Sequence, residues 1–178
     1  MPSGVGGGTG SSDGGRWCGG TAGSGLAEGG LGRGGKTPLI VGDDADLQNA
    51  VTWTLGSAFS NAGQRCAAGS RILVFDAVYD RFTQMLVDAA NTLKVGTGDS
   101  DDYGPVINEE QMKNMLTSVE RARAAGAKIL TGGQRLTGES YGGGFFVAPT
   151  IIQHAGANDE LSRTELFGPT TLLYRVQG

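Results

Sequence analysis

The chain has 178 residues, of which 38% are hydrophobic, 18% are charged and 33 are glycine, and its formal net charge is −4. This length suits one globular domain, and without a basic patch nucleic acid is not an expected partner. No apolar run approaches the roughly 20 residues that span a bilayer. No signal peptide is recognised, and two cysteines do not form a disulfide framework. We therefore expect a cytoplasmic protein with no membrane partner.

Glycine is concentrated in the first part of the chain, where 16 of the 33 glycines lie within residues 1–35. Glycine loses more backbone entropy on folding than any other residue and adds no side chain to a core. We therefore expect residues 1–33 to be a disordered or non-native segment. Residues 34–178 are expected to form the folded part.

Strands and helices alternate after Lys36. Short apolar runs predict strands at 38–41, 71–75, 128–130, 145–152 and 171–176, the fourth interrupted by Pro149. Apolar residues at steps of three and four predict helices over 47–59, 79–93 and 112–122. This alternation predicts an α/β fold with a largely parallel sheet and flanking helices.

Two of these helices are preceded by polar residues that favour a helix start. Asp43, Asp44 and Asp46 stand before the first helix, where acidic side chains favour the first turn. Asn108 stands three residues before Gln111, a spacing that predicts an N-cap with a capping-box partner.

Cys66 is the strongest candidate for chemistry. It lies in the predicted turn between the first helix and the second strand, with Gly63 and Gly69 on either side, and glycine lets a substrate approach the backbone closely. Ala67 and Ala68 leave room beside the sulfur. Most free cysteines behave as small hydrophobic residues in cores. Taken alone, Cys66 is therefore open to two interpretations, an inert buried residue or a reactive thiol.

Other polar residues weigh less. His154 is the only histidine, and no cluster has the spacing of metal ligands, so no metal is expected. The acidic run Asp99–Asp102 is interpreted as a solvated turn rather than a calcium site. A redox-sensing pair formed by Cys18 and Cys66 is a further and weaker hypothesis for the function.

Four sequence blocks follow one another in a fixed order. The first, at 34–47, contains Gly-Gly-Lys-Thr-Pro and Asp-Asp-Ala-Asp-Leu, and the second, at 63–71, contains Gly-Gln-Arg-Cys. The third is Gly-Pro-Val-Ile at 104–107, and the fourth is Glu-Leu-Phe-Gly-Pro at 165–169. Together they resemble the NAD(P)-dependent aldehyde dehydrogenases, and the resemblance covers residues 34–178. The surroundings of Cys66 are more similar to semialdehyde-oxidising members, such as those acting on α-ketoglutaric semialdehyde.

The resemblance implies a partial aldehyde dehydrogenase catalytic domain that oxidises an aldehyde or semialdehyde to the acid with NAD or NADP. Cys66 would be the nucleophile that forms a thiohemiacetal and then a thioester, and its backbone N–H would donate to the oxyanion. Glu165 would hold the nicotinamide ribose, and Phe167 would lie against the cofactor. The partners implied are a small-molecule aldehyde and a homo-oligomer formed through segments that are absent or partial here.

The chain departs from the family pattern at Gly32. The family has Glu-Leu-Gly-Gly-Lys where this chain has Gly32-Arg33-Gly34-Gly35-Lys36. Glycine cannot replace the base that activates water for thioester hydrolysis. The oxyanion-hole asparagine and most of the dinucleotide-binding domain are also missing, so we expect an incomplete chain that is inactive alone. We interpret residues 1–33 as the product of a shifted reading frame or a false start.

An alternative function is open on the same residues. A degenerate, non-enzymatic family member would bind a partner through the apolar surface that its missing domain once covered. The reactivity of the Cys66 thiol discriminates between the two hypotheses, because a degenerate scaffold has no need of a reactive thiol.

Overall fold

The computed structural model describes residues 6–10, 16, 29–153, 156 and 159–177. These residues fall into two compact units, 1–35 and 36–178.

The smaller unit contains two short strands. β1 (Gly6–Gly10) and β2 (Gly29–Arg33) pair in parallel, with Gly6 opposite Gly29 and Gly10 opposite Arg33. These ten residues form a backbone ladder, which needs no side chains to form, and the expectation of a disordered or non-native segment at 1–33 stays a prediction. Cys18 and the rest of the segment lie outside the described residues, and the origin of the segment stays a prediction.

The larger unit is built on a five-stranded sheet. Its strands in chain order are β3 (Thr37–Val41), β4 (Gly69–Phe75), β5 (Lys128–Thr131), β6 (Thr150–Gln153) and β7 (Thr170–Val176). Their spatial order is β3-β4-β7-β6-β5, and every neighbouring pair is parallel except β5 with β6. The prediction of an α/β fold with a largely parallel sheet is confirmed.

Among the described residues of this unit, four α-helices accompany the sheet: α1 (Leu47–Phe59), α2 (Asp76–Ala90), α3 (Glu109–Ala124) and the single-turn α4 (Glu160–Arg163). The buried faces of α1 and α2 share one core with the sheet, and its fully buried side chains include Phe59, Ile72, Val74, Phe82, Leu86 and Leu173. The apolar periodicity therefore identified the buried faces. α2 nevertheless starts and ends three residues earlier than the predicted helix over 79–93.

The two capping signals have different outcomes. Asp46 was expected within the first turn of α1 but is its N-cap, and its carboxylate accepts from the amides of Gln48 and Asn49 at 3.0 and 3.2 Å. Asn108 caps α3 as predicted, accepting from the amide of Gln111 at 2.8 Å. The side chain of Gln111 does not complete the capping box, because it bonds elsewhere.

The predicted strand at 145–152 is only half correct. Regular pairing begins at Thr150, directly after Pro149, and before that proline only a single bridge joins Val147 to Arg135. Proline has no N–H to give to a ladder, so the strand starts after it.

Within the part of the chain that the structure describes, no helix is both long and apolar enough to cross a bilayer. No group of three or more potential metal ligands gathers among those residues. His154 lies outside them.

Candidate active site

Cys66 lies in a tight turn between α1 and β4, and its thiol is exposed and free. The amide of Ala68 donates to the carbonyl of Arg65 at 3.0 Å and closes the turn around the cysteine. The Arg65 guanidinium donates to the carbonyl oxygens of Gly56 and Ser57, both at 3.0 Å. These carbonyls belong to the last turn of α1, where helix carbonyls lack helical partners. Arg65 therefore fastens the cysteine turn to the helix before it.

The residues that lead into this turn pack against a distant segment. Asn61, Ala62 and Gly63 all have left-handed backbone, with φ values of 53°, 54° and 66°. A Cβ atom added at Gly63 would lie 2.2 Å from the carbonyl oxygen of Gly168, so glycine is required there. This backbone contact brings residues 165–168 beside the cysteine turn.

Gln64 connects the cysteine turn to the loop at 104–107. Its side-chain NH₂ donates to the carbonyl of Pro105 at 3.3 Å, and its side-chain oxygen accepts from the amide of Ile107 at 2.8 Å. Two of the four sequence blocks are thus joined by one amide side chain.

The segment 165–168, which we call the EF segment, has an unusual backbone. Phe167 has a φ of 50°, in the left-handed region that is costly for an aromatic residue, and its side chain is 40% exposed. Glu165 is half-buried. Gln111 donates to the carbonyl of Leu166 at 2.5 Å and more weakly to that of Phe167 at 3.4 Å.

A small cavity of about 20 Å³ lies between the cysteine turn and the EF segment. It has room for roughly one water molecule. Its lining comes from both parts and includes Lys36, Gly63, Ala68, Ser70, Glu165 and Thr170. The hydroxyls of Ser70 and Thr170 are buried and find no hydrogen-bond partner among the described residues. Buried hydroxyls without partners favour a polar occupant at this junction.

Lys36 places a basic group at the same junction. Burial of its ammonium, with a smaller contribution from the nearby charge of Arg71, lowers its pKa from 10.5 to about 8, while Glu165 acts in the opposite direction. The Arg71 guanidinium also donates to the Lys36 carbonyl at 2.5 Å. Lys36 is therefore held near Glu165 in a partly desolvated environment.

The structure brings together residues that the sequence places about a hundred positions apart. Cys66 and the pair Glu165 and Phe167 belong to segments that touch through the Gly63 and Gly168 backbones. Their chemical roles stay predictions.

Sequence reasoning assigned no site role to three residues at this junction. Lys36 and Gln64 were placed in the blocks that resemble the family but were given no role of their own. Gln111 was interpreted as a capping partner. A signal was available for Gln64, because a long polar side chain stands there among small residues in a tight turn.

The chain matches the model of the aldehyde dehydrogenase family over residues 8–178. It is 34% identical over 145 residues to an alpha-ketoglutaric semialdehyde dehydrogenase of Bacillus subtilis, covering 80% of this chain and 30% of that protein. It is 41% identical over 146 residues to a mitochondrial succinate-semialdehyde dehydrogenase of Arabidopsis thaliana, covering 81% of this chain and 27% of that protein.

Solved structures show the same similarity in three dimensions. A betaine aldehyde dehydrogenase from Staphylococcus aureus, in complex with NAD+, superimposes with a TM-score of 0.94 at 32% identity, covering 98% of this chain and 35% of that one. A 3,6-anhydro-L-galactose dehydrogenase in complex with NADP gives a TM-score of 0.93 at 32% identity, with 98% and 37% coverage.

The chain therefore belongs to the aldehyde dehydrogenase family. It spans about a third of the length of the relatives that it matches. The family match begins at residue 8, upstream of Gly34, where our sequence analysis had placed the start of the resemblance. The interpretation of residues 1–33 as the product of a shifted reading frame or a false start stays a prediction.

Proposed function

We propose that this protein carries the chemistry by which an aldehyde or semialdehyde is oxidised to its carboxylic acid with NAD or NADP. One observation carries the proposal: an exposed thiol, Cys66, is fixed in a turn that packs against the segment of Glu165 and Phe167. Family membership supplies the reaction class, and this juxtaposition supplies the residues. A cytoplasmic location and a homo-oligomer remain predictions from the sequence.

The Cys66 thiolate attacks the carbonyl carbon of the aldehyde, and the sulfur–carbon bond gives a thiohemiacetal. The backbone N–H of Cys66 donates to the oxyanion during this attack. Glu165 and Phe167 would hold the nicotinamide cofactor, which would supply the hydride acceptor for oxidation of the thiohemiacetal to the thioester. Cys66 then holds the acyl group as a thioester, and water releases the acid and restores the thiol.

Glu165 and Phe167 fit a nicotinamide riboside. A carboxylate accepts hydrogen bonds from ribose hydroxyls, and an aromatic side chain that is 40% exposed offers a face to a planar ring. The neighbouring cavity holds about 20 Å³, which suits a single water and excludes the ring itself. The cofactor would therefore lie over the EF segment and outside this cavity.

Gly32 limits the reaction after oxidation. A positioned base typically contributes about 10²- to 10⁴-fold to a proton-transfer step, and glycine supplies none. We therefore expect Cys66 to become acylated once and to release the acid slowly, so that the chain does not turn over at a useful rate.

The test is to incubate the chain with succinic semialdehyde, α-ketoglutaric semialdehyde or betaine aldehyde and either nucleotide. Nicotinamide reduction is followed by absorbance and the Cys66 peptide by mass spectrometry. We expect a nucleotide-dependent acyl adduct on Cys66 and a burst of about one equivalent of reduced nucleotide.

Cys66→Ser and Cys18→Ser form a matched pair of controls. The first should abolish the adduct and the burst, and the second should leave both intact. Nicotinamide reduction that survives in Cys66→Ser would disprove the assigned nucleophile. No adduct with any aldehyde, together with a Cys66 thiol that is inert to iodoacetamide, would favour the alternative of a non-enzymatic interaction protein, which the loss of the base at Gly32 already makes reasonable.

A further inference from the structure

Gln111 is placed for local capping but makes a long-range contact instead. It is the third residue of α3, where a glutamine side chain ordinarily returns to the N-cap amide. The Asn108 side chain already caps the amide of Gln111 at 2.8 Å. The Gln111 side chain turns away and donates to the carbonyl oxygens of Leu166 and Phe167, 55 and 56 residues further along the chain.

The backbone that receives these bonds is the strained part of the EF segment. Phe167 has a φ of 50°, and a non-glycine residue keeps such a backbone only when its surroundings enforce it. One amide group reaches the carbonyls before and after the strained residue, at 2.5 and 3.4 Å, and so holds both peptide groups that flank Phe167.

The same face of α3 supports the next residue of the segment. Met115 follows Gln111 by four positions, so the two side chains lie on one side of the helix. A Cβ atom at Gly168 would lie 1.8 Å from the Met115 sulfur, which shows how closely this methionine underlies the segment. Gln111 thus supplies the polar contact and Met115 the apolar contact of one docking face.

We propose that Gln111 is a positioning residue that holds the EF segment in the conformation in which Glu165 and Phe167 receive the nicotinamide cofactor. This inference rests on the proposed function for its cofactor. The holding action itself is a property of the free protein and is measured without any ligand.

The experiment compares Gln111→Leu, Gln111→Glu and Gln111→Lys in the full chain. Leucine removes the donor, and glutamate replaces it with an acceptor that two carbonyls repel. Glutamate nevertheless suits the first turn of a helix, because it faces the positive end of the helix dipole. A residue that only stabilised α3 would therefore tolerate glutamate. Lysine keeps a donor and should restore the contact in part.

Hydrogen exchange of the peptide over residues 165–171 reports on the segment, since the Thr170 amide donates to the Gly168 carbonyl at 2.7 Å. We expect exchange about five- to tenfold faster in Gln111→Leu and Gln111→Glu, as for one lost hydrogen bond. The affinity for NAD+ or NADP+, measured by calorimetry, should fall by a similar factor. Gln111→Lys should lie between wild type and Gln111→Leu in both quantities.

Gln48→Leu, at an exposed position in the first turn of α1, is the matched control and should change neither quantity. Iodoacetamide labelling of Cys66 should stay within about twofold of wild type in all variants, since the cysteine turn is fastened by Arg65. Wild-type behaviour of Gln111→Glu in both exchange and affinity would overturn the proposal. So would accelerated exchange without any loss of affinity.

Failure of the wild-type chain to bind either nucleotide is a separate result. It would overturn the cofactor part of the proposed function, and with it the cofactor role of Gln111. The exchange pattern would still decide whether Gln111 holds the segment.

Discussion

The cysteine turn and the EF segment touch each other, yet they are held in place in opposite ways. The turn around Cys66 is closed by the Ala68 amide and fastened by Arg65 to the helix just before it. In the EF segment, the carbonyls of Leu166 and Phe167 accept hydrogen bonds from Gln111, more than fifty residues away in sequence.

This difference separates two kinds of information in the sequence. The turn around the nucleophile is closed by local bonds, to which Gln64 and Thr37 add bonds with more distant segments, whereas the EF segment is held by a helix elsewhere in the chain. A substitution in α3 should therefore disturb the EF segment and leave the thiol in place. The contact between Gly63 and Gly168 belongs to both regions, because both depend on it.

Gly63→Ala should disturb the cysteine turn and the EF segment together. The new methyl group would lie 2.2 Å from the Gly168 oxygen and 2.9 Å from the Ala58 oxygen, in addition to a left-handed φ of 66°. We expect a loss of roughly 3–5 kcal/mol in the free energy of unfolding, from overpacking and backbone strain together. Urea denaturation measures this loss.

The control for that variant is Gly126→Ala. Gly126 also has a positive φ, of 93°, but a Cβ atom there would meet nothing within 4 Å. Only the backbone cost of about 1–2 kcal/mol should appear. Equal losses in the two variants would show that the contact with Gly168 is less tight than described.

Lys36, which lies at the junction of the two regions, makes the free energy of unfolding depend on pH. Its pKa is lowered from 10.5 to about 8 in the folded protein, so between these pH values the unfolded chain binds a proton that the folded chain does not. Stability conferred by this residue therefore rises as the pH increases from about 8 to 10.5. Relative to Lys36→Met, the wild-type free energy of unfolding should increase by roughly 2–3 kcal/mol over this range, after allowance for partial solvent screening.

The measurement for Lys36 is a series of urea denaturations of both proteins across that range. The tyrosines are common to both proteins, and their contributions cancel in the difference. A difference that is flat with pH would mean that the Lys36 ammonium is well solvated in the folded state.

Arg65→Met tests the local side of the comparison and should have the smallest effect. It removes the bonds to the Gly56 and Ser57 carbonyls but keeps much of the apolar stem, so we expect a loss of about 1 kcal/mol. Hydrogen exchange should accelerate near Ala68 and stay unchanged in the EF segment. Arg81→Met, on an exposed position of α2, is the control. Equal acceleration in both regions would contradict the separation.

The sequence predicted the architecture better than it predicted the junction. Apolar runs located all five strands of the large sheet, and the stripes located α1, α2 and α3, because burial depends on periodicity that a single sequence displays. The sequence indicated an interruption at Pro149. It did not show that β6 would start only at Thr150, because this depends on the pairing of β6 with β7.

The candidate site was predictable where it is local. Cys66 was found from its immediate neighbours, and Glu165 and Phe167 only from family resemblance. Lys36 and Gln111 escaped, because each acts on a segment far along the chain and nothing in their own surroundings indicates that contact. The capping pattern at Asn108 even favoured the wrong partner for the Gln111 side chain.

The strand order of the large sheet has a consequence for synthesis. β7 lies between β4 and β6, although it is made about a hundred residues after β4 and later than every other strand of that sheet. Until β7 emerges from the ribosome, β4 and β6 each present an unpaired edge, and such edges invite pairing with other chains. Pairing across such long sequence separations is slow, so the nascent chain carries two half-sheets that only the arrival of β7 can join.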